Sequence, residues 1–359
     1  MVDMYITNEI KQKILSVYES GIYIKGEENS LFEKEFSEYC SCRNCTIVNS
    51  GTSALILGLQ VLGIGRTDEV IMPSHTFIAS ANAVIFTGAT PKFVDIDVKN
   101  YTIDSELIEE SITPSSKAIM PVHIYGHPCD MSPIQDLAED KNLFLIEDAC
   151  QAHGAEYNKK KCGSLGDVAA FSFFPSKNMT VAGDGGALTT NDDKLAEKAS
   201  AIRDQGRNSG EKYYHTYQGL NLRLSEIHAA IGRIQLKHLD EWNKKRRDNA
   251  SFFNTKFSNI DEIIIPCEEN WAYSVYHQYV IRTRKRDSLS AFMNLNGIAS
   301  GIHYPVPVHL QPAMIEVSKG LKLRKTEDVA AAILSIPVHP NLTEEEREYI
   351  AHKISDFYY

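Results

Sequence analysis

Lys177 closes the apolar stretch Ala170-Phe171-Ser172-Phe173-Phe174-Pro175-Ser176-Lys177, just ahead of the glycine-rich turn Ala182-Gly183-Asp184-Gly185-Gly186. An amine that leaves an apolar strand end is partly desolvated, which disfavours its ammonium form and makes the nitrogen a better nucleophile. Such a lysine is suited to forming a Schiff base with an aldehyde. A solvated strand-end lysine would carry a similar local sequence, so the reading depends on two further segments.

The first is Thr46-Ile47-Val48-Asn49-Ser50-Gly51-Thr52-Ser53-Ala54-Leu55. Residues 46–49 read as a short strand, Asn49-Ser50-Gly51 as a turn, and Ala54 to Leu62 as a helix. Gly51, Thr52 and Ser53 then lie at the helix start, where free N–H groups and the helix dipole favour an anion. The same residues would also serve as an ordinary N-cap. The pattern is neither the Gly-x-Gly-x-x-Gly of a dinucleotide fold nor the Gly-Lys-Thr of an NTPase loop. The second segment is Leu143-Phe144-Leu145-Ile146-Glu147-Asp148-Ala149-Cys150-Gln151-Ala152-His153-Gly154. Its apolar strand delivers two carboxylates at the C-terminal end, where open α/β sheets bind ligands. A buried carboxylate there needs a partner, and a protonated ring nitrogen would serve. No His or Cys spacing nearby supports a metal in its place. A nucleophilic amine, an anion cradle and an isolated carboxylate together suggest pyridoxal 5′-phosphate, with the lysine on the aldehyde carbon, the helix start on the phosphate and Asp148 on the pyridine nitrogen.

These segments also carry a resemblance. Together with Gly21 to Glu28, Pro73 to Ser80, Gly219-Leu220-Asn221-Leu222-Arg223-Leu224-Ser225-Glu226-Ile227 and His303-Tyr304-Pro305-Val306-Pro307-Val308-His309, in this order, the chain resembles the DegT/DnrJ/EryC1/StrS sugar aminotransferases almost end to end. That family lies within fold-type I of the pyridoxal-phosphate enzymes. The resemblance implies an α/β fold: a large domain with a mostly parallel seven-stranded sheet between helices, and a smaller C-terminal α+β domain. It makes Lys177 the cofactor-holding lysine and the base that moves the proton. Asp148 would pair with the pyridine nitrogen, Gln151 would sit near the ring hydroxyl, and Phe77 would lie on the ring face. Gly51, Thr52, Ser53 and Ser172 would hold the phosphate. Asn221 would reach it from a neighbouring subunit, so the active sites would be shared within a homodimer.

The expected reaction moves an amino group, from L-glutamate, to a nucleotide-linked keto-deoxysugar in amino-sugar biosynthesis. The loop from His303 to Gln311 has two prolines two apart, which exclude a central strand or a helix interior and imply an irregular, extended segment. His303, Tyr304 and His309 on such a loop are candidate substrate contacts. Within the family its Tyr-Pro-x-Pro pattern resembles enzymes acting at C3 of the sugar more than at C4. Ala182 departs from 3-keto relatives that carry a bulky aromatic there. Three other readings compete: a 4-keto sugar aminotransferase, a sugar dehydratase and a non-enzymatic pyridoxal-phosphate-binding regulator. Lys177 opposes the dehydratase, because that branch carries histidine at the position. The regulator would need a module for which the 359 residues have no spare segment.

Composition fits a two-domain enzyme of ordinary make-up, with 43% hydrophobic and 23% charged residues. A formal charge of −10 and the absence of a dominant basic face argue against a nucleic-acid partner. The densest basic run, Lys244-Lys245-Arg246-Arg247, reads as a solvated helix end. Met1 to Gly21 lacks the apolar core of a signal peptide, and no stretch reaches transmembrane length. Seven cysteines, an odd number, imply free thiols and a cytoplasmic location. Cys40, Cys42 and Cys45 are close together but lack a sensible fourth ligand, so no metal is expected.

The elements that must position these groups alternate as in a doubly wound sheet. Strands are expected at 69–73, 92–97, 118–122 and 277–283. Helices are expected at 77–86, 104–111, 132–139 and 288–296. A single long helix is expected from Ser225 to Arg247, with Ile227, Ala230, Ile231, Ile234 and Leu239 roughly on one face. A hinge near Arg247 to Ala250 would divide the chain into an arm and large domain, 1–247, and a small domain, 248–359.

Overall fold

A computed structural model describes residues 7–207 and 213–359. Seven strands form the main sheet: β1 (Asn44–Val48), β2 (Glu69–Pro73), β3 (Thr90–Val94), β4 (Ser116–Ile119), β5 (Phe144–Asp148), β6 (Val168–Ser172) and β7 (Gly186–Thr190). Their order across the sheet is β1-β7-β6-β5-β4-β2-β3. Pairs β6–β5, β5–β4, β4–β2 and β2–β3 are parallel, and β7 alone runs against the rest. The central strands β2, β5 and β6 are mostly apolar and buried, because both faces of the sheet are covered. Ile47, Ile71, Leu145 and Phe171 point into one core with Phe32 and Phe36. Val48, Met72, Ile146 and Ala170 point into the other with Leu55, Leu57 and Val84.

The helices that cover the sheet and its arm are α1 (Asn8–Ser20), α2 (Glu27–Tyr39), α3 (Gly51–Val61), α4 (Ala79–Phe86), α5 (Met131–Lys141) and α6 (Asp193–Arg203). The helix expected from Ser225 to Arg247 is instead two, α7 (Glu226–Leu236) and α8 (Leu239–Phe257). Ile231 and Ile234 pack with Ile10 of α1, whereas Leu239 turns into the sheet core, so the supposed single face serves two cores. No backbone break occurs at Arg247 to Ala250, because α8 runs on to Phe257. The basic run therefore lies inside a helix. Arg246 is buried there, and Arg247 pairs with Glu268.

Beyond it, β8 (Tyr279–Arg282) and β9 (Ile333–Ile336) form an antiparallel pair with Tyr279 opposite Ile336. The C-terminal half of α8 packs on this pair together with α9 (Arg286–Leu295) and α11 (Glu344–Tyr358), while α10 (Arg324–Ala332) leads into β9. Phe253, Phe257, Tyr279, Leu289, Met293, Leu334 and Ile350 make a separate C-terminal core. No helix among the described residues is long and apolar enough to cross a membrane.

Candidate active site

One cleft of about 390 Å³ opens at the C-terminal ends of the parallel strands, the place an open α/β sheet reserves for ligands. Its wall takes Gly51 and Thr52 from the turn after β1, Phe77 and Ser80 from the segment after β2, and Asp148 and Gln151 from the end of β5. Ser172 comes from the end of β6, Lys177 and Asp184 from the β6–β7 connection, and Tyr304 from the C-terminal half.

The helix start is built as a cradle. Ser50 caps α3, its hydroxyl accepting from Ser53 N–H at 3.0 Å, and the first helical N–H groups have no partner within the helix. Gly51 is required by packing: a Cβ there would stand 2.6 Å from Ser172 Cβ and 3.0 Å from Cys150 Sγ. The helix start can therefore press against the end of β6 and bring Thr52 and Ser172 to one wall. Ser53 serves differently from the expectation. Its hydroxyl donates to Asn49 Oδ1 at 2.7 Å, and its side chain does not line the cleft.

Asp148 is buried, 4% exposed. Ser80 donates to its Oδ2 at 2.6 Å, and the Cys150 N–H to its Oδ1 at 3.2 Å. Ser80 went unrecognised in the sequence, since a serine in Ala79-Ser80-Ala81 looks like an ordinary helical residue. Lys177 lies in the turn five residues past β6, its N–H donating to the Phe174 carbonyl at 2.9 Å. Burial holds its amine below the ordinary lysine range, only partly offset by Cys150 and Asp148. Gln151 has a fixed orientation: Oε1 accepts from the Tyr125 N–H at 2.8 Å, so Nε2 is the donor, and it reaches Tyr304 Oη at 3.2 Å. Phe77 is half-exposed and meets the Tyr304 ring at 5.6 Å between centroids.

Two expected substrate contacts lie elsewhere. His309 is buried, with one ring nitrogen 2.7 Å from Ser74 Oγ and the other 3.2 Å from Glu327, so it holds the loop and does not face the cleft. His303 is bound through Nδ1 to Ser335 Oγ at 2.8 Å, and its carbonyl accepts from the Tyr125 hydroxyl. Asn221 is exposed, bridged to Asp204 and outside the cleft of its own chain. Ala182 packs toward Ile10, Ile231 and Ile234 of the arm and α7.

Cys40 and Cys45 have thiols pushed up by burial. Among the described residues, metal-ligating atoms converge only at His123, Glu147 and Cys162. Those donors are already spent. Glu147 accepts from His123 Nε2 and from the Gly163, Leu165 and Gly166 N–H groups, while His123 Nδ1 accepts from Cys129 N–H.

A nucleophilic amine, a buried carboxylate and a helix-start cradle in one cleft define the pyridoxal-phosphate class of enzyme. Within that class, residues 4–355 match the DegT/DnrJ/EryC1/StrS aminotransferase family, and the chain belongs to it. It is a pyridoxal-phosphate-dependent aminotransferase. It is 44% identical over 335 residues, 93% of this chain and 88% of the relative, to the dTDP-3-amino-3,4,6-trideoxy-alpha-D-glucose transaminase of Streptomyces venezuelae. It is 41% identical over 348 residues, 96% of this chain and 94% of the relative, to the erythromycin biosynthesis sensory transduction protein EryC1 of Saccharopolyspora erythraea. The structure of S. venezuelae DesV in complex with a ketimine intermediate superposes with a TM-score of 0.94 at 42% identity, covering 97% of this chain and 94% of that one.

Proposed function

We propose that this chain aminates a nucleotide-linked keto-deoxysugar, with L-glutamate as donor, and that it acts at C3. The observation that carries the reading is the shared cleft of Lys177, Asp148 and the α3 start. Pyridoxal phosphate supplies an electron sink when bound. Lys177 would hold its aldehyde carbon, Gly51, Thr52 and Ser172 its phosphate, Asp148 its pyridine nitrogen, Phe77 its ring face and Gln151 its ring hydroxyl. Lys177 Nζ, an amine whose basicity burial has lowered, would take the proton from the substrate carbon that bears nitrogen. Donor and acceptor use the same cleft in turn, so the kinetics are ping-pong.

The choice of C3 rests on the Tyr304-Pro305-Val306-Pro307 segment and on the 3-amino sugar in the name of the S. venezuelae relative. Ala182, turned toward the arm, leaves the sugar side to Tyr304 and Phe77. Two features support a homodimer with shared sites. Leu15, Tyr18, Ile22, Tyr23 and Ile24 expose an apolar surface along the arm, which a second copy would cover, and Asn221 is free to reach across. The working location is the cytoplasm. The chain divides into residues 1–247 and 248–359, with α8 common to both. A purely regulatory role, suggested by the name of the S. erythraea relative, leaves the desolvated Lys177 without a task.

The deciding experiment loads the protein with cofactor and glutamate, adds a panel of nucleotide-linked 3-keto and 4-keto sugars, and reads the product by NMR. Nitrogen at C3 supports the assignment. Nitrogen at C4 overturns the position, and failure with every keto sugar overturns the substrate class.

A further inference from the structure

Behind Lys177 runs a buried row of neutral groups whose hydrogen-bond direction is set by backbone carbonyls. Asn243 Nδ2 donates to the His153 carbonyl at 2.8 Å, which leaves Asn243 Oδ1 as acceptor. Asn178 Nδ2 fills it at 2.8 Å and also donates to the Val275 carbonyl at 3.1 Å. Asn178 Oδ1 can then only accept, and His277 Nδ1 lies 3.0 Å away. His277 therefore carries its proton on Nδ1 and, as a neutral ring, keeps a lone pair on Nε2. Asn178, Asn243 and His277 are 4%, 2% and 6% exposed.

The row ties together parts of the chain that must keep register for chemistry. Asn178 follows Lys177 directly. His153 stands five residues past Asp148 and two past Gln151, and Asn243 bridges the two connections from α8. We propose that Asn178 is the positioning residue for Lys177: its amide fastens the lysine turn to the Asp148 turn through α8 and keeps the layer beneath the amine uncharged.

The charges near that layer are few and mostly of one sign. Lys177 senses Cys150 and Asp148, while His277 senses Lys177, Arg246, His153 and His303. Burial, with the Lys177 and Arg246 cations, holds His277 well below its ordinary range, and burial with Lys177 holds His153 at about 3. Among the described residues, buried Arg246 donates to the Tyr276 and His277 carbonyls, each at 3.3 Å. A carboxylate placed in this row would meet Arg246, which has no carboxylate partner among the described residues, and would add to the negative charge that Lys177 already meets from Asp148. Lys177 would be drawn toward the ammonium form.

The inference rests on Lys177 being the reactive amine, but its test uses cofactor-free protein and so fails separately from that reading. Asn178→Asp exchanges two N–H donors for lone pairs that face the Val275 carbonyl and Asn243 Oδ1. Reductive methylation of Lys177, followed peptide by peptide against pH, should titrate about one pH unit higher in Asn178→Asp than in wild type. The loaded variant should lose about tenfold in kcat, with KM for the amino donor moving less than about twofold. Asn249→Asp is the control for burying an acid in the same helix. Asn249 donates to the His339 carbonyl at 2.9 Å, and its variant should melt earlier while leaving the Lys177 titration unmoved. An unmoved titration in folded Asn178→Asp overturns the proposal. If that variant does not fold, Asn243→Asp, one bond further away, should shift Lys177 in the same direction by less. No shift there overturns it equally.

Discussion

Ser80 stands in the first turn of α4 and gives its hydroxyl proton to Asp148 Oδ2 across 2.6 Å. Thr76 Oγ1, 2.8 Å from Ser80 Oγ, completes a short chain from the end of β2 to the end of β5. Ser80 and the Cys150 N–H thus fix the orientation of the carboxylate at the end of β5, where the pyridine nitrogen would meet it. Ser80→Ala should weaken that hold by about 1–1.5 kcal/mol, the worth of one buried hydrogen bond, and slow transamination about tenfold. Asp148→Asn should keep most cofactor affinity but lose more rate, because an amide cannot stabilise a protonated pyridine. Cofactor titration beside single-turnover rates separates the two. A Ser80→Ala enzyme with wild-type rate would remove Ser80 from the site.

Lys177→Ala should lose transamination by roughly 10²–10⁴-fold, the contribution of a positioned proton-transfer group. Borohydride treatment of the loaded wild-type protein should fix the cofactor to the Lys177 peptide, and the variant should show no such adduct. Mass spectrometry of the digest reads both. Retention of a large share of wild-type turnover by the variant would overturn the assignment.

Much of this site was legible because it stands at strand ends. The apolar runs before Asp148 and Lys177 and the Ser50-Gly51-Thr52 turn announce buried strands that stop at polar groups, and the seven-stranded sheet delivers them to one edge. What stayed hidden depends on contacts between distant segments. Ser80 is one small polar residue in an apolar helix, and its partner lies 68 positions away. The break between α7 and α8 at Lys237-His238 carries neither Gly nor Pro, so periodicity ran straight through it. His309 looked like a ligand contact because no local pattern reveals that Ser74 and Glu327 occupy its ring nitrogens.

Buried histidines make stability depend on pH in a stated direction. His153 is fully buried against Phe171 and Phe173, and neither ring nitrogen completes a hydrogen bond, although the Ser172 backbone weakly favours the protonated ring. Burial and Lys177 lower it from 6.5 to about 3, and burial lowers His75 to about 4. Between those values and 6.5 the unfolded chain binds protons that the folded chain does not, so stability rises with pH there and is lost as pH falls below about 6.5. Each such histidine contributes at most about 1.4 kcal/mol per pH unit. His153→Leu should therefore flatten the loss between pH 7.5 and 5 in urea unfolding. An unchanged slope would show that the ring does not stay neutral in the fold.

Tyr304 keeps its proton, since burial pushes its hydroxyl up to about 12. It accepts from Gln151 at 3.2 Å, so its own O–H is free to donate into the cleft. Tyr304→Phe should cost the keto-sugar half-reaction about 1–3 kcal/mol, roughly tenfold to a hundredfold in kcat/KM. His303→Ala should act in the same direction by releasing the loop from Ser335. Conversion of the loaded enzyme by glutamate should change much less. Equal damage to both half-reactions would show that the loop supports the cofactor and not the sugar.

Asn221 decides whether the catalytic unit is one chain or two. Within its own chain it is exposed and stands apart from the cleft that holds Lys177, Asp148 and Thr52. If it completes the phosphate site of a second copy, Asn221→Ala should weaken cofactor retention roughly tenfold to a hundredfold, the loss of one hydrogen bond to a charged group costing about 1.5–3 kcal/mol. The stronger test is complementation. A heterodimer of an Asn221 variant with a Lys177→Ala chain has one site with both defects and one with neither. At a cofactor concentration too low to load the Asn221 variant, mixing the two proteins under exchange conditions should therefore restore up to about half of the wild-type rate per heterodimer, since each contains one intact site of two. Restored activity that tracks heterodimer formed, measured by native mass spectrometry, supports the shared site. Heterodimers that form and stay inactive would confine each active site to a single chain.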